Sequence, residues 1–253
     1  MAKESAAASF EQLCPVDAEK PTLIEGLPGH GLVAAIAVDQ ITEQLELAHC
    51  GNVASEEFPP VATFDDGLVQ DLVRVYAGSD PAVMTLQSDL ALPEQSFEPL
   101  SKCVLEDLAP EFERAIFLAG APAETEEEIG SVTGVSTTEE IRADLEEAGI
   151  SVADEPGVIG GITGALVRQC YQADVPAALL IVRSHPFLPD PRAAKSVIEN
   201  AIEPLVEFDI DTTELEEQAE DIQRRMQQVA EQYQQMAEEQ GGDQQPSSRG
   251  MFQ

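Results

Sequence analysis

The sequence has little positive charge, and this scarcity argues against several classes of protein. Its 253 residues include 13 Lys and Arg against 48 Asp and Glu, which gives a formal net charge of −35. A chain this acidic repels phosphate backbones and anionic lipid surfaces, so we expect no nucleic-acid and no membrane partner. No stretch approaches the roughly 18 apolar residues of a transmembrane helix, and residues 1–10 lack an apolar signal core. We therefore expect a cytoplasmic protein.

Cysteine and histidine are too few and too scattered to indicate a metal site. None of the four cysteines forms a C-x-x-C pair or lies near a histidine at ligand spacing, and we expect buried, reduced thiols at Cys14, Cys50, Cys103 and Cys170. The sequence has no G-x-S-x-G motif, and carboxylates are so abundant that choosing any two as an acid–base pair would be arbitrary. We predict no catalytic residue, no metal and no cofactor, with His30 as the histidine to follow.

The acidity has two explanations. A disordered acidic chain is one, but 43% hydrophobic residues and clear apolar runs argue against it. Adaptation to concentrated salt is the other, because an acidic surface keeps a protein soluble while the salt screens its self-repulsion. The acids are spread along the whole chain and lysine occurs only four times, so we favour a halophilic protein.

Apolar strand patterns alternate with helical patterns between residues 21 and 210, after a loose segment at 1–20. A short strand precedes the turn at 26–31, and further strands are predicted at 61–64, 68–76, 82–87, 115–119, 132–135 and 177–182. Helices are predicted at 32–47, 97–108, 137–148, 165–173 and 192–206, with Thr137 and Glu140 as a capping box. The alternation predicts a three-layer α/β sandwich with a mostly parallel central sheet and one antiparallel hairpin turning at 65–67.

The segment 211–240 has a different pattern. Its apolar residues are spaced alternately by four and three, which is a heptad seam: Leu215, Ala219, Ile222, Met226, Val229, Tyr233 and Met236. The stripe is narrow and its flanks are polar, so we predict a coiled-coil helix that pairs with another helix. The alternative is a helix that folds back onto its own domain. Residues 241–253 are rich in Gly, Gln and Ser and predict a flexible tail ending in Met251-Phe252-Gln253.

Two glycine-rich segments, at 26–31 and 160–164, could cradle a phosphate at a helix N-terminus. Neither has the Lys-Ser/Thr of a P-loop or the spacing of a dinucleotide fingerprint. We favour tight turns and close backbone packing as the reason for these glycines.

The order of five motifs resembles the proteasome assembly chaperone 2 family. The matching stretches, which fall within residues 20–206, are Gly26-Leu27-Pro28-Gly29-His30-Gly31-Leu32-Val33-Ala34, Glu57-Phe58-Pro59-Pro60, Asp66-Gly67-Leu68-Val69, Gly161-Ile162-Thr163-Gly164-Ala165-Leu166 and Pro189-Asp190-Pro191-Arg192-Ala193-Ala194. The resemblance implies a phosphorylase/hydrolase-like sandwich used as a scaffold, a homo-oligomer, and a role as chaperone or adaptor of the proteasome core particle.

The resemblance also gives the terminal residues a role. Some archaeal members end in a hydrophobic residue, a tyrosine and any residue, and this tail docks between subunits of the proteasome α-ring. Met251, Phe252 and Gln253 match that pattern except that Phe252 lacks the phenolic hydroxyl. The sequence thus predicts a non-enzymatic oligomeric scaffold that binds the α-ring through its tail. Two alternatives stay open: an ATP-grasp-like or phosphorylase-like enzyme using the glycine-rich loops, and a purely structural coiled-coil oligomer.

Overall fold

A mixed nine-stranded sheet organises the chain. The computed structural model describes residues 8–15 and 18–225. Its strands are β1 (Ala8–Gln12), β2 (Thr22–Gly26), β3 (Ala48–Ser55), β4 (Thr63–Asp65), β5 (Leu68–Gln70), β6 (Val73–Ser79), β7 (Ala82–Ser88), β8 (Arg114–Pro122), β9 (Val132–Ser136), β10 (Ser151–Val152) and β11 (Ala177–Ser184). The large sheet has the order β1-β3-β6-β7-β2-β8-β11-β9-β10, and β4 and β5 form a separate two-stranded sheet.

Helices cover both faces of the large sheet. They are α1 (Val33–Gln44), α2 (Phe97–Cys103), α3 (Glu139–Glu147), α4 (Gly161–Gln172), α5 (Pro191–Val197) and α6 (Glu203–Val206). Wider turns at Val104–Leu108 and Ile198–Ile202 extend α2 and join α5 to α6. Another helix, which we call the C-terminal helix, starts at 213 and continues to 225, the last described residue. Within the described ranges, no helix is both long and apolar enough to cross a membrane.

The prediction of a mostly parallel sheet is wrong, because four of its eight strand pairs are antiparallel. The pairs β7–β2, β2–β8, β8–β11 and β9–β10 are parallel, whereas β1–β3, β3–β6, β6–β7 and β11–β9 are antiparallel. The reason lies in the connections. A parallel pair needs a crossover of a dozen or more residues, whereas β6 and β7 are joined by only two residues and must form a hairpin.

Alternation along the central strands separates two cores and gives the three predicted layers. Leu23 of β2 packs with α2 and α4 on one face of the sheet, whereas Ile24 packs with α1, α3 and α5 on the other. The same alternation runs through β8 and β11, where Phe117 and Leu179 join the first core and Leu118 and Leu180 the second. On each face of the sheet, apolar side chains of the strands and of the covering helices form one buried core.

The beginning of the chain departs from its prediction as a loose segment. Residues 8–12 form β1 at one end of the sheet and pair with β3, which the sequence analysis did not predict. The Phe10 N–H of β1 is donated to Asp107 Oδ2 at 3.2 Å, beyond the end of α2. A side chain from beyond α2 therefore binds one backbone N–H on the outer strand of the sheet.

Several helix starts also differ from their predicted positions. The cap of α3 is Thr138, whose Oγ1 accepts the Ile141 N–H, whereas Thr137 donates to backbone carbonyls of Val175 and Ala177 beside β11. Helix α4 begins at Gly161, four residues before its predicted start, so the second glycine-rich segment forms its first turn. The predicted strand 68–76 is divided at Asp71 and Leu72 between two sheets.

Candidate functional site at the carboxyl edge of the parallel strands

The carboxyl ends of β7, β2, β8 and β11 meet at one edge of the sheet. The chain leaves β2 through α1 on one face, and it enters β8 after α2 on the other. In open α/β sheets this arrangement leaves a crevice beside the first strand, where ligands commonly bind. The two glycine-rich segments flank this edge, as a phosphate-binding enzyme would require. The side chains that lie between these segments decide whether an anion could bind there.

Glu25, near the end of β2, occupies the crevice and is completely buried. Its Oε1 accepts the Leu27 N–H at 3.1 Å, and its Oε2 accepts the Leu118 N–H of β8 at 3.4 Å. Thr163, in the first turn of α4, donates its hydroxyl to Oε2 at 3.5 Å. The register of β2 with β8 ends at Ile24 and Ile116, so the Glu25 side chain bonds an N–H that the ladder leaves unpaired.

Burial decides the charge of this carboxyl. Removal from water raises the pKa of Glu25 from 4.5 to about 8, although its hydrogen bonds to the Leu118 and Leu27 N–H groups and to Thr163 act in the opposite direction. At neutral pH the group is therefore mostly protonated. No basic side chain is among the causes acting on it.

The position of Glu25 bears directly on the enzyme alternative. A phosphate bound at this edge would use backbone N–H groups of the first loop and donors in the first turn of α4. Leu27 and Thr163, which belong to those two segments, already bond to the Glu25 carboxyl. The side chain thus holds the place that an anion would take, and the two glycine-rich segments enclose a residue of the chain itself.

The loop after β2 is built by close packing, as the glycine pattern predicted. Gly31 has φ +65°, and a Cβ there would approach Ser184 Oγ, at the end of β11, to 2.5 Å. A Cβ at Gly120 would overlap the carbonyl oxygen of His30, so this loop lies directly on the end of β8. In the second segment, a Cβ at Gly164 would overlap the Ile159 carbonyl oxygen. These glycines permit contact between backbones.

His30 and Ser184 are a base and a nucleophile residue type at the same edge of the sheet, without the connections of a catalytic triad. His30 Nε2 and Ser184 Oγ are buried, and within the described residues neither atom has a hydrogen-bonding partner. Glu25 bonds to Leu27, Leu118 and Thr163 instead. A triad needs a histidine N–H that donates to a carboxylate and a serine hydroxyl that donates to the same histidine, and Glu25, His30 and Ser184 make neither hydrogen bond within the described residues.

The cysteines are in the environment expected of reduced thiols. Cys50, Cys103 and Cys170 are buried, and Cys14 is half-buried. Burial is the main cause that raises the pKa of Cys50 to about 11 and those of Cys103 and Cys170 to about 12. Such thiols carry little thiolate at neutral pH and are poor nucleophiles. In the described part of the chain, no three His, Cys, Asp or Glu side chains are placed to hold a metal ion.

The C-terminal helix is anchored through its first turn. Leu215 is buried in the core beside α5, as the fold-back alternative predicted for this position. Lys195 Nζ reaches Glu216 Oε2 at 2.9 Å, and Gln40 Nε2 donates to the Asp211 carbonyl at 2.8 Å. These contacts join the helix to α5 and α1 and fix where it leaves the domain.

Beyond Leu215 the helix is more open. Ala219 and Ile222 are half-buried and border a cleft of about 830 Å³ between the helix, the loop 123–129 and the loop that precedes α5. The other predicted seam residues, Met226, Val229, Tyr233 and Met236, lie outside the described residues, as do the docking residues Met251, Phe252 and Gln253. Their roles stay predictions.

Sequence reasoning missed Glu25. It follows the apolar residues Leu23 and Ile24 in a chain with 48 acidic residues, so nothing marked it as different from a surface glutamate. One signal was available: a parallel strand buried on both faces has no exposed position until it ends. Because β2 extends to Gly26 and helices cover both faces of the sheet, the Glu25 side chain is buried between the sheet and a helix layer.

Comparison with known proteins gives consistent results across the chain. A model of the PAC2 family matches residues 23–230. The uncharacterised protein MJ0106 of Methanocaldococcus jannaschii is 27% identical over 225 residues, which cover 88% of this chain and 91% of that protein.

Solved structures share the fold. Two crystal structures of Pyrococcus furiosus PbaA, an archaeal homolog of proteasome-assembly chaperone, have TM-scores of 0.80 and 0.76 at 24% and 25% identity. They cover 92% and 90% of this chain and 96% and 99% of their own. The structure of P. furiosus PbaB, an archaeal proteasome activator, has a TM-score of 0.78 at 21% identity and covers 89% of this chain and 99% of its own.

Proposed function

The chain belongs to the PAC2 family, and on that premise we propose that it is a cytoplasmic, homo-oligomeric scaffold that binds the α-ring of the proteasome core particle through its C-terminal tail. The observation that carries the proposal is the family match over residues 23–230, together with the chaperone homolog and the proteasome activator among the similar structures. The prediction that the chain is not an enzyme is confirmed by its family.

The C-terminal helix supports the proposal by its anchoring. Leu215, the Lys195–Glu216 ion pair and the Gln40–Asp211 hydrogen bond hold its first turn, so the described part of the helix, which ends at residue 225, leaves the domain from a fixed point. If copies of the chain pair through the heptad positions, Ala219 and Ile222 are the first positions available, because Leu215 is used within the chain. Pairing of this kind would set the number and spacing of the tails.

A tail of this composition binds by simple physical means. Phe252 and Met251 would bury apolar area in a pocket of the partner, and the terminal carboxylate would pair with a basic residue there. A single tail of three contacting residues binds weakly. Several tails on one oligomer raise the effective concentration of each, which increases avidity without any new contact.

The proposal is tested by capture of the purified proteasome core particle on the immobilised protein in concentrated salt. We expect full-length protein to retain the particle and a chain ending at Gly250 to lose it. Phe252→Tyr should bind at least as well as the natural chain, because it restores the missing hydroxyl. Ser247→Ala, within the predicted tether, is the matched control and should have no effect. Equal capture by the chain ending at Gly250 would contradict a tail-dependent function.

The anion-binding alternative makes a separate prediction. Because Glu25 takes the donors at the carboxyl edge, we expect no heat of binding when inorganic phosphate or ATP is titrated into the protein. A stoichiometric heat at millimolar ligand would reopen the enzyme interpretation.

A further inference from the structure

The hairpin formed by β4 and β5 is an apolar projection from the domain. Phe64 lies opposite Val69, and these side chains are 74% and 78% exposed. Leu68 is 75% exposed and, being adjacent to Val69 along the strand, points to the other face of the hairpin. Because both faces carry a bare apolar side chain, the hairpin extends into solvent and does not lie on the domain.

An ion pair with a buried arginine fixes the base of this hairpin. Arg74 donates from both terminal nitrogens to Asp89, at 2.6 and 2.8 Å, and also to the Asp71 carbonyl at 2.8 Å, just after β5. Thr63, at the start of β4, donates its hydroxyl to the Gln70 carbonyl of β5 at 2.9 Å. Asn52 donates to Asp71 Oδ2 at 2.7 Å. The end of β5 is therefore held by groups of the large sheet, and the start of β4 is held to β5.

Exposed apolar side chains on a two-stranded hairpin are energetically unfavourable unless a partner covers them. A two-stranded hairpin is at best marginally stable in water, and exposed clusters of large apolar side chains commonly mark interaction sites. A rigid base reduces the entropy lost when the tip is bound, which favours binding. The hairpin thus has the properties of a preorganised docking element.

Charge around the hairpin selects the kind of partner. Asp65 and Asp66 form the tip, Asp71 lies at the base, and Arg74 is neutralised by Asp89. A second copy docked on the hairpin would bring further carboxylates of this acidic chain into direct contact with Asp65, Asp66 and Asp71, and salt screens charges inside an interface much less than charges in solvent. A surface with basic residues around an apolar depression is complementary, and the two bare faces require a cleft that encloses the tip.

The hairpin lies on the same side of the molecule as the start of the C-terminal helix. Partial burial and Asp39 are the main causes that raise the pKa of Glu43 in α1, and the carboxylates of Glu214 and Asp65 add to them. Hydrogen bonds give the same placement: Gln40 of α1 donates to the Asp211 carbonyl at 2.8 Å, and Gln87, two residues before Asp89, donates to the Val38 carbonyl of α1 at 3.2 Å. The hairpin tip and the anchored helix therefore flank α1 and can face one partner together.

We propose that the β4–β5 hairpin is a second docking element, which inserts Phe64, Leu68 and Val69 into an apolar, basic-rimmed cleft on another protein. The partner rests on the proposed function and is a subunit of the proteasome core particle. The hairpin would act together with the tail, each element contributing part of the affinity.

The test measures the affinity of full-length protein for the purified core particle by surface plasmon resonance in concentrated salt. We expect Phe64→Ser and Leu68→Ser each to weaken binding by roughly tenfold or more, since buried apolar anchors dominate interfaces. Phe187→Ser is the matched control, because Phe187 is 88% exposed but lies outside the hairpin, and it should change affinity by less than about twofold. Circular dichroism and light scattering establish that each variant is folded and has the natural oligomer number.

Each result separates the two proposals. If both hairpin variants bind like the natural chain while the chain ending at Gly250 does not, the hairpin inference is overturned and the proposed function stands. If Phe64→Ser lowers the oligomer number, the hairpin contacts a second copy and the inference is overturned in favour of a self-interface. If the full-length protein does not bind the particle at all, the proposed function fails and this inference fails with it.

Discussion

Replacing Glu25 with glutamine should make the stability of the chain less sensitive to alkaline pH. Burial raises the pKa of Glu25 to about 8, whereas the ordinary value of 4.5 applies once the chain unfolds. Between these two values the native state keeps a proton that the unfolded state has lost, so the free energy of unfolding falls as pH rises through this window. Below the window both states are protonated and the contribution is complete.

The expected size is large. The difference between the two pKa values corresponds to roughly 4–5 kcal/mol, lost progressively from about pH 4.5 to pH 8. Glutamine is uncharged at every pH: with its oxygen at the Oε2 position it accepts the Leu118 N–H and the Thr163 hydroxyl, and one hydrogen bond, from the Leu27 N–H, is lost at a cost of roughly 1–3 kcal/mol. We therefore expect Glu25→Gln to be more stable than the natural chain at pH 8.5, with the advantage shrinking towards pH 5.

The assay is urea unfolding followed by circular dichroism at several pH values and constant high salt. Other carboxylates also titrate, so the informative quantity is the difference between the two chains at each pH. Glu147→Gln, an exposed position at the end of α3, controls for removing one negative charge. Parallel pH profiles for Glu25→Gln and the natural chain would refute the reasoning, because they would mean that Glu25 is ionised in the folded protein.

Two further substitutions test the anchors described above by urea unfolding. Leu215→Ala should lower the free energy of unfolding by about 2–4 kcal/mol because it leaves a cavity in the core beside α5. Ile222→Ala, at a half-buried position of the same helix, should lower it by less than about 1 kcal/mol. Equal costs would contradict the packing of the first helical turn. Arg74→Met should cost about 1.5–3 kcal/mol because it removes the paired hydrogen bonds from a buried guanidinium to Asp89. Arg142→Met, which breaks an exposed pair with Glu146, should cost less than about 1 kcal/mol, and a small effect at both positions would show that the hairpin base is not held by the ion pair.

The buried central strands were predictable because their apolar runs are unambiguous. Strands β8 and β11 contain the predicted segments 115–119 and 177–182, although β8 runs on through Gly120 to Pro122 and β11 to Ser184. Strand β3 could not be found in the same way. It includes His49, Gly51 and Asn52, and its stability comes from its neighbours β1 and β6, which lie far away in the sequence.

The candidate site shows a similar division. The glycine-rich segments were visible, and close packing was preferred over phosphate binding for a sound local reason, the missing lysine. What decides the matter in the structure is Glu25, whose partners Leu118 and Thr163 are 93 and 138 residues away. A pattern read over a few residues cannot contain such a contact. The hairpin turn at 65–67 was predictable, but its base is held by the Arg74–Asp89 and Asn52–Asp71 contacts, which join residues 15 and 19 positions apart.

The two ends of the nine-stranded sheet have a consequence for aggregation. In about 1 M salt the Debye length falls to about 3 Å, so even a large negative charge no longer keeps copies of a protein apart. Exposed strand edges then become templates for uncontrolled polymerisation. Here the outer strand β10 has only two residues, Ser151 and Val152, and the N–H of Phe10 in β1 is occupied by Asp107. Strand β10 therefore offers little backbone to a neighbouring copy, and β1 offers one N–H fewer, so this protection works by geometry at distances over which salt screens charge repulsion.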